Sequence, residues 1–63
     1  MKLGIIGAGG HGKVVGDIAL SLNYNQIFYF DDINKSKEIK FFGNYAGKIN
    51  KTNEYKAIPF IIA

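Results

Sequence analysis

Five of the chain's eight glycines fall between Gly4 and Gly12, and this cluster restricts the possible folds more than any other feature. The short apolar segment Lys2–Ile6, which leads into it, predicts a buried strand. After the cluster, apolar residues recur at the spacing of one helix face, at Val14, Val15, Ile18, Ala19 and Leu22. The sequence therefore predicts a strand, a tight glycine turn and a helix over Gly12–Leu22.

Polar residues occupy the other side of this predicted helix, at Lys13, Asp17 and Ser21. Asn23 is well suited to end the helix, because Asn tolerates the left-handed backbone conformation. The segment Ile27–Phe30 that follows is β-favouring and contains no polar interruption, as in a strand covered on both faces.

The second half of the chain carries weaker signals. One short strand is expected near Phe41–Phe42 or around Tyr45, and Pro59 should stand at the start of a last strand. The polar residues 34–40 predict a loop or frayed turn, and residues 51–56 predict one helical turn. Six aromatic residues are expected to build the sheet core rather than a base-stacking surface: Tyr24, Phe28, Tyr29, Phe30, Phe41 and Phe42.

This order predicts an α/β fold with a partial Rossmann-like parallel sheet: strand, glycine turn, helix, strand, strand. A full sheet of this type needs more strands than 63 residues hold, and no helix follows the last strand. We therefore expect residues 1–63 to form one Rossmann-like domain, incomplete at its C-terminus and part of a longer protein.

The spacing of Gly7, Gly9 and Gly12 satisfies the pattern G-x-G-x-x-G. In that pattern the first glycine permits the tight turn, the second lets backbone approach a pyrophosphate, and the third lets the helix pack closely. Free N–H groups and the dipole at the helix start then face an anion. The alternative is a tight turn that binds nothing.

Two acidic residues end the second predicted strand. Asp31 lies 19 positions beyond Gly12, near the spacing of an acid that bonds a ribose hydroxyl, and Asp32 adds a second carboxylate. At least one of them is expected to contact a ligand. The alternative is that they cap a turn or the next helical segment.

His11, the single histidine, lies inside the glycine turn. A ring that bonds the local backbone is the better interpretation from the residues alone. No second histidine and no cysteine is present, so a metal site is not expected.

Composition excludes several classes of protein. The chain has a net charge of +3, with eight lysines and no arginine, and six of the lysines are scattered through the second half, so a nucleic-acid partner is not favoured. No apolar run is long enough to cross a membrane, and no signal peptide is recognisable. The absence of cysteine fits a reducing compartment, so we expect a cytoplasmic protein.

The runs "IIGAGGHGKVVGDIA", "FYFDD" and "PFIIA" resemble, in order and spacing, the opening of the sugar acyltransferases of the NeuD and PglD type. The resemblance covers essentially the whole chain, and the histidine before the last glycine makes it fairly specific. It implies a small domain that holds a UDP-sugar, with an amino sugar or a sialic-acid-type substrate, rather than NAD. It implies these substrate-binding residues: Gly7, Ala8, Gly9, Gly10, His11, Gly12, Asp31 and Asp32.

The resemblance also implies what lies elsewhere in such an enzyme. In that family a left-handed β-helix domain binds acetyl-coenzyme A, supplies the catalytic histidine and forms a homotrimer. None of that domain is found in these 63 residues, so no catalytic residue and no cofactor are expected in this chain. The function implied is the substrate-binding part of a sugar O- or N-acetyltransferase.

Two other functions stay open from the residues. The turn and Asp31 permit the N-terminal half of an NAD-binding oxidoreductase domain, although His11 argues against it. A non-catalytic nucleotide-binding module is the third interpretation, because the chain carries no catalytic group.

Overall fold

The strand before the glycine turn lies in the middle of the sheet. We describe all residues 1–63 in a computed structural model. In chain order the elements are β1 (Lys2–Ile6), α1 (Gly10–Ser21), β2 (Gln26–Phe30), α2 (Ser36–Ile39), β3 (Asn44–Gly47), a 3₁₀-helix (Ile49–Glu54) and β4 (Phe60–Ile62). The four strands are all parallel and follow the order β3-β2-β1-β4. The fold is therefore α/β with a partial Rossmann-like sheet, as predicted.

Parallel pairing brings corresponding strand ends together. β1 pairs with β2 from Lys2↔Gln26 to Ile6↔Phe30, and with β4 from Gly4↔Phe60 to Ile6↔Ile62. We call the edge where the four strands end the carboxyl edge, and the edge where they begin the amino edge. The glycine turn and the two aspartates follow β1 and β2 directly, so both lie at the carboxyl edge.

The contact between α1 and the sheet corrects the predicted helix face. The helix begins at Gly10, two residues earlier than predicted, and its buried residues are Gly12, Gly16 and Ala19. By contrast Val14 and Ile18 are each 55% exposed, and Leu22 is also exposed. The glycines bring the helix backbone so close to the strands that large side chains have no room on the buried side.

Gly16 shows how close this approach is. A Cβ at Gly16 would overlap the hydroxyl of Tyr29, which is fully buried. That hydroxyl has no hydrogen-bond partner. Burial and the charge of Asp17 raise the pKa of Tyr29 above its ordinary value.

The end of α1 follows the sequence prediction. Asn23 has a φ of 74°, in the left-handed region that Asn tolerates. Its N–H donates to the Leu20 carbonyl (3.2 Å), and the N–H of Tyr24 donates to the Ala19 carbonyl (3.1 Å). These two bonds satisfy helix carbonyls that would otherwise lack donors.

The face of the sheet opposite α1 is covered by aromatic packing. The Tyr55 ring, which follows the 3₁₀-helix, lies 5.3 Å from the Phe28 ring and 5.2 Å from the Phe30 ring. The Phe60 ring lies 5.7 Å from that of Phe30. β2 is thus covered on both faces, as its unbroken apolar run predicts.

The weaker predictions for the second half have mixed outcomes. The strand predicted around Tyr45 is β3, and Pro59 stands directly before β4. Residues 34–40 contain one helical turn, which is held by the fully buried Ile39. The expectation that Phe41 belongs to the core is wrong, because this residue is 86% exposed. It follows the short helix α2 on the solvent side, where the Lys40 ammonium lies 5.0 Å from its ring.

Candidate functional site

The glycine turn at the carboxyl edge depends on two glycines for its shape. Gly7 has a φ of +113°, which L side chains rarely adopt, and its N–H donates to the Phe30 carbonyl (2.7 Å). A Cβ at Gly12 would overlap the Gly7 carbonyl oxygen. Gly7 therefore makes the turn, and Gly12 lets α1 start directly against it, as the pattern G-x-G-x-x-G predicts.

Gly9 and Gly10 have no such packing reason to be glycine. A Cβ at either position would have no protein atom within 4 Å, and both residues are exposed. Gly9 is the N-cap of α1, with ordinary extended backbone angles and no side-chain cap. The space above these two residues is open to any molecule that approaches the backbone.

The N–H groups at this point have no acceptor in the protein. The first backbone bond of α1 runs from the Lys13 N–H to the Gly9 carbonyl (3.1 Å). The N–H groups of Gly9, Gly10 and His11 form no hydrogen bond within the chain, and all three residues are exposed. Free N–H groups at the positive end of a helix dipole favour an anion.

The Asp31 carboxylate is held entirely by backbone groups. Its Oδ2 accepts from the Ala8 N–H (3.0 Å) and its Oδ1 from the Ile33 N–H (3.0 Å). The bond to Ala8, then the bond to Ile33 and the charge of Lys35 lower the pKa of Asp31 against the opposing effect of burial. Asp31 thus joins the end of β2 to the glycine turn, which matches the capping alternative; contact with a ligand stays a prediction.

Asp32 holds the next loop. Its Oδ1 accepts from the N–H of Ile49, the first residue of the 3₁₀-helix (3.0 Å), and its side chain is exposed. Its Oδ2 makes no hydrogen bond within the protein. Asp32 therefore has both a structural contact and a carboxylate oxygen that is free to accept from another molecule.

Tyr45 and Gly47 belong to this site, although the sequence interpretation placed neither there. The Tyr45 hydroxyl donates to the Asp31 carbonyl (2.6 Å) and, at 3.4 Å, to that of Ile33. The Asp31 N–H donates to the carbonyl of Gly47 (3.0 Å), whose φ is +126°. Local patterns predicted a strand around Tyr45, but the contacts depend on the pairing of β2 with β3.

His11 is the second residue of α1 and is exposed. Its ring forms no hydrogen bond with the protein, so the interpretation that it bonds the local backbone is wrong. The backbone N–H of His11 is one of the free N–H groups of the turn.

The two hollows of the surface lie at the amino edge, away from this turn. The larger one, about 430 Å³, is lined by Lys2, Phe28, Asn53, Glu54, Tyr55, Lys56, Ala57 and Ile58. A smaller one of about 330 Å³ adjoins it and shares Lys2, Ala57 and Ile58. The carboxyl edge carries the free N–H groups at the start of the long helix α1, so we place the candidate site there despite its lack of a hollow.

Two other kinds of site are not seen. No group of three or more His, Cys, Asp or Glu residues is placed to hold a metal ion. None of the helices has the length and apolarity that a membrane crossing requires.

A family model described as the PglD N-terminal domain matches residues 2–63. The chain belongs to this family. The PglD N-terminal domain is the first domain of acetyltransferases of the PglD and NeuD type, so the resemblance found in the sequence is confirmed. The match runs from β1 through the glycine turn and both aspartates to β4. No curated protein and no solved structure matches the chain.

Proposed function

We propose that this PglD N-terminal domain, residues 1–63, binds a UDP-sugar as the substrate-binding part of a sugar O- or N-acetyltransferase. The observation that carries the proposal is the exposed run of N–H groups at Gly9, Gly10 and His11, none of which has an acceptor in the protein. A diphosphate offers anionic oxygens to such groups at the positive end of a helix.

The open space at Gly9 and Gly10 supports the same ligand. Neither residue packs against the protein, so glycine at these positions leaves room for an approaching molecule. A Cβ at Gly9 would stand between the backbone N–H groups and a pyrophosphate.

His11 and Asp32 are proposed to contact the ends of the ligand. The exposed His11 ring has no partner in the protein and is proposed to contact the sugar or its phosphates. The free Oδ2 of Asp32 is proposed to accept from the uridine. These roles agree with the residues that the family resemblance implies.

NAD is the contrasting ligand. In nicotinamide-binding domains an acidic residue at the end of the second strand bonds the ribose hydroxyl. Asp31 stands at that spacing, but both of its carboxylate oxygens already accept backbone N–H groups. UDP and NAD both carry a ribose and a diphosphate, so the choice of UDP in this proposal rests on the family match rather than on Asp31.

The proposed division of labour assigns the reaction to another domain. The acyl donor, acetyl-coenzyme A, would be bound outside these 63 residues, together with the general base that deprotonates the acceptor amine or hydroxyl. The chain described here would contribute binding and orientation of the sugar nucleotide.

The test is a titration of the ¹⁵N-labelled chain with UDP, a UDP-amino-sugar, NAD and inorganic phosphate, in which binding is monitored through amide chemical shifts. We expect both UDP ligands to move the amides of residues 9–12 and 32, and NAD to bind more weakly. Tighter binding of NAD would support the oxidoreductase interpretation. Shifts confined to Lys2, Tyr55 and Lys56 would move the site to the amino edge, and no shifts with any ligand would contradict a binding function.

A further inference from the structure

We infer that Asp31 and Tyr45 are positioning residues of the carboxyl edge: they hold the glycine turn from behind, without touching the ligand. The inference rests on the proposed function, because the turn that they hold is the proposed binding element. It separates the roles of the two neighbouring aspartates, which the sequence pattern alone treats as a pair.

Every hydrogen-bonding group of Asp31 has a partner in the protein. Its two carboxylate oxygens accept from Ala8 and Ile33, and its N–H donates to the Gly47 carbonyl. Its own carbonyl accepts from the Tyr45 hydroxyl at 2.6 Å. Each carboxylate oxygen keeps a further lone pair, but the hydrogen bonds to all four groups fix the orientation of Asp31 and make it a structural junction.

The bond to Ala8 decides which N–H groups remain for an anion. The Ala8 N–H is used by Asp31, so the free run begins at Gly9 and continues to Gly12, and its exposed members are Gly9, Gly10 and His11. The carboxylate also carries a negative charge behind the turn, which repels phosphate from Ala8. Both effects direct an anion toward the start of α1.

Tyr45 fixes the direction of this carboxylate. Its hydroxyl reaches the carbonyls of both Asp31 and Ile33, which are the two ends of the turn that follows β2. Burial and the charges of Asp31 and Asp32 raise the pKa of Tyr45, so the hydroxyl keeps its proton and donates at neutral pH. Without the hydroxyl, the carbonyls of Asp31 and Ile33 lose this hydrogen bond, and the turn between them is free to move.

The test compares Tyr45→Phe with Tyr55→Phe. Tyr55 packs its ring on Phe28 and Phe30, and its hydroxyl forms no hydrogen bond. We expect Tyr45→Phe to weaken UDP binding about threefold to tenfold, the range for loss of one hydrogen bond. Tyr55→Phe should leave the UDP dissociation constant unchanged.

A second readout needs no ligand. In the wild type, the amide shifts of Ala8 and Ile33 should follow one carboxyl titration below the ordinary Asp value of 3.8. In Tyr45→Phe that midpoint should rise toward 3.8, whereas Tyr55→Phe should keep the wild-type midpoint. A purely structural role for Tyr45 would lower the melting temperature without moving this midpoint.

The outcomes separate the two proposals. Absence of UDP binding by the wild type would overturn the proposed function, while the Ala8 titration would still decide whether Asp31 holds the turn. Unchanged UDP affinity and an unchanged Ala8 midpoint in Tyr45→Phe would overturn the role of Tyr45. If that variant does not fold, the wild-type titration decides, and separate midpoints for Ala8 and Ile33 would overturn the junction.

Discussion

The two edges of the sheet contrast sharply in what they offer a ligand. The amino edge has the hollows, of about 430 and 330 Å³, with Lys2 and Lys56 among their lining residues. The carboxyl edge has no hollow, but it has free backbone N–H groups, an exposed histidine and two aspartates. The hollows and the groups suited to bind an anion therefore lie at opposite edges of the same small sheet.

The difference follows from how each edge is made. At the carboxyl edge the glycines remove side chains, so the surface is flat and the backbone itself is exposed. Hydrogen bonds through Asp31 then fix the direction of that backbone. At the amino edge the hollows lie between side chains, and the lysines there are flexible and form no ion pair. Fixed N–H groups at the start of a helix favour an anion, which is why the proposed function places the ligand at the flat edge.

The largest expected effect comes from Gly12→Ala. The added Cβ would overlap the Gly7 carbonyl oxygen, which is backbone and cannot rotate away. We expect a loss of about 3 kcal/mol in the free energy of unfolding, most of the stability of a domain this small. Urea unfolding followed by circular dichroism measures it.

Gly10→Ala is the matched control for this substitution. It lies two residues earlier in the same helix, and its Cβ would meet no protein atom within 4 Å. Alanine favours a helix over glycine by up to about 1 kcal/mol, so stability should stay equal or rise. Equal losses in the two variants would show that the turn is not built by the close approach of α1.

Local sequence patterns predict much of this fold, because they depend on neighbours in the chain. The positions of β1, α1 and β2, the left-handed Asn23 and the place of Pro59 all follow from such patterns. The buried face of α1 does not, because hydrophobic periodicity assumes that large side chains point inward. Here Gly12 and Gly16 are buried, and larger residues of the same helix face solvent.

The candidate site is likewise predicted only in part by local sequence patterns. The glycine pattern places the turn, and the strand end places the two aspartates. The roles of these aspartates depend on contacts between distant segments, such as Ala8 with Asp31 and Asp32 with Ile49. Tyr45 reaches the site only because β3 pairs with β2, and their pairing register is irregular next to Phe30. No local pattern records such a contact.

Gly9→Val tests which edge of the sheet binds UDP. The branched side chain has space in the protein, but it would stand over the free N–H groups. We expect UDP affinity to fall at least tenfold, measured by amide shifts or calorimetry, with a loss of stability of about 1 kcal/mol or less. Ala57→Val, at the hollows of the amino edge, should leave the affinity unchanged.

Gly9→Asn removes the remaining ambiguity between a weakened helix and a blocked site. Asn is a preferred N-cap residue, so this variant should stabilise α1 by a few tenths of a kcal/mol. Its side chain should still hinder the ligand. Affinity and stability would then change in opposite directions, whereas a fall in both would indicate damage to the turn.

Acid should weaken the junction at Asp31. Its pKa is lowered in the folded chain, so its stabilising contribution is present above pH 4 and disappears as the pH falls through the folded pKa. We expect Asp31→Asn to cost about 1 kcal/mol at pH 7, from lost hydrogen bonds, and progressively less as the pH falls through the folded pKa. Melting temperatures across this range measure the difference.

Glu54→Gln is the matched control for the acid series. Glu54 forms the exposed ion pair with Lys51 at 3.3 Å, a contact with little net stabilisation. The melting temperature of the Glu54→Gln variant should equal that of the wild type at every pH. A pH dependence of Asp31→Asn that also matches the wild type would mean that the bonds to Ala8 and Ile33 do not stabilise the fold.

Lys56→Met should have the smallest effect on UDP affinity, and it tests directly whether the amino edge takes part in binding. Lys56 is exposed and lines the larger hollow, and its loss changes the net charge from +3 to +2. A five-residue strand spans about 16 Å between the two edges, beyond the screening length of about 8 Å at 0.15 M salt. UDP affinity should therefore change less than about twofold at that salt concentration, and slightly more at low salt. If Lys56→Met instead lowers UDP affinity as strongly as Gly9→Val, the ligand contacts the amino edge. The free N–H groups of the glycine turn are then only the ordinary start of a helix.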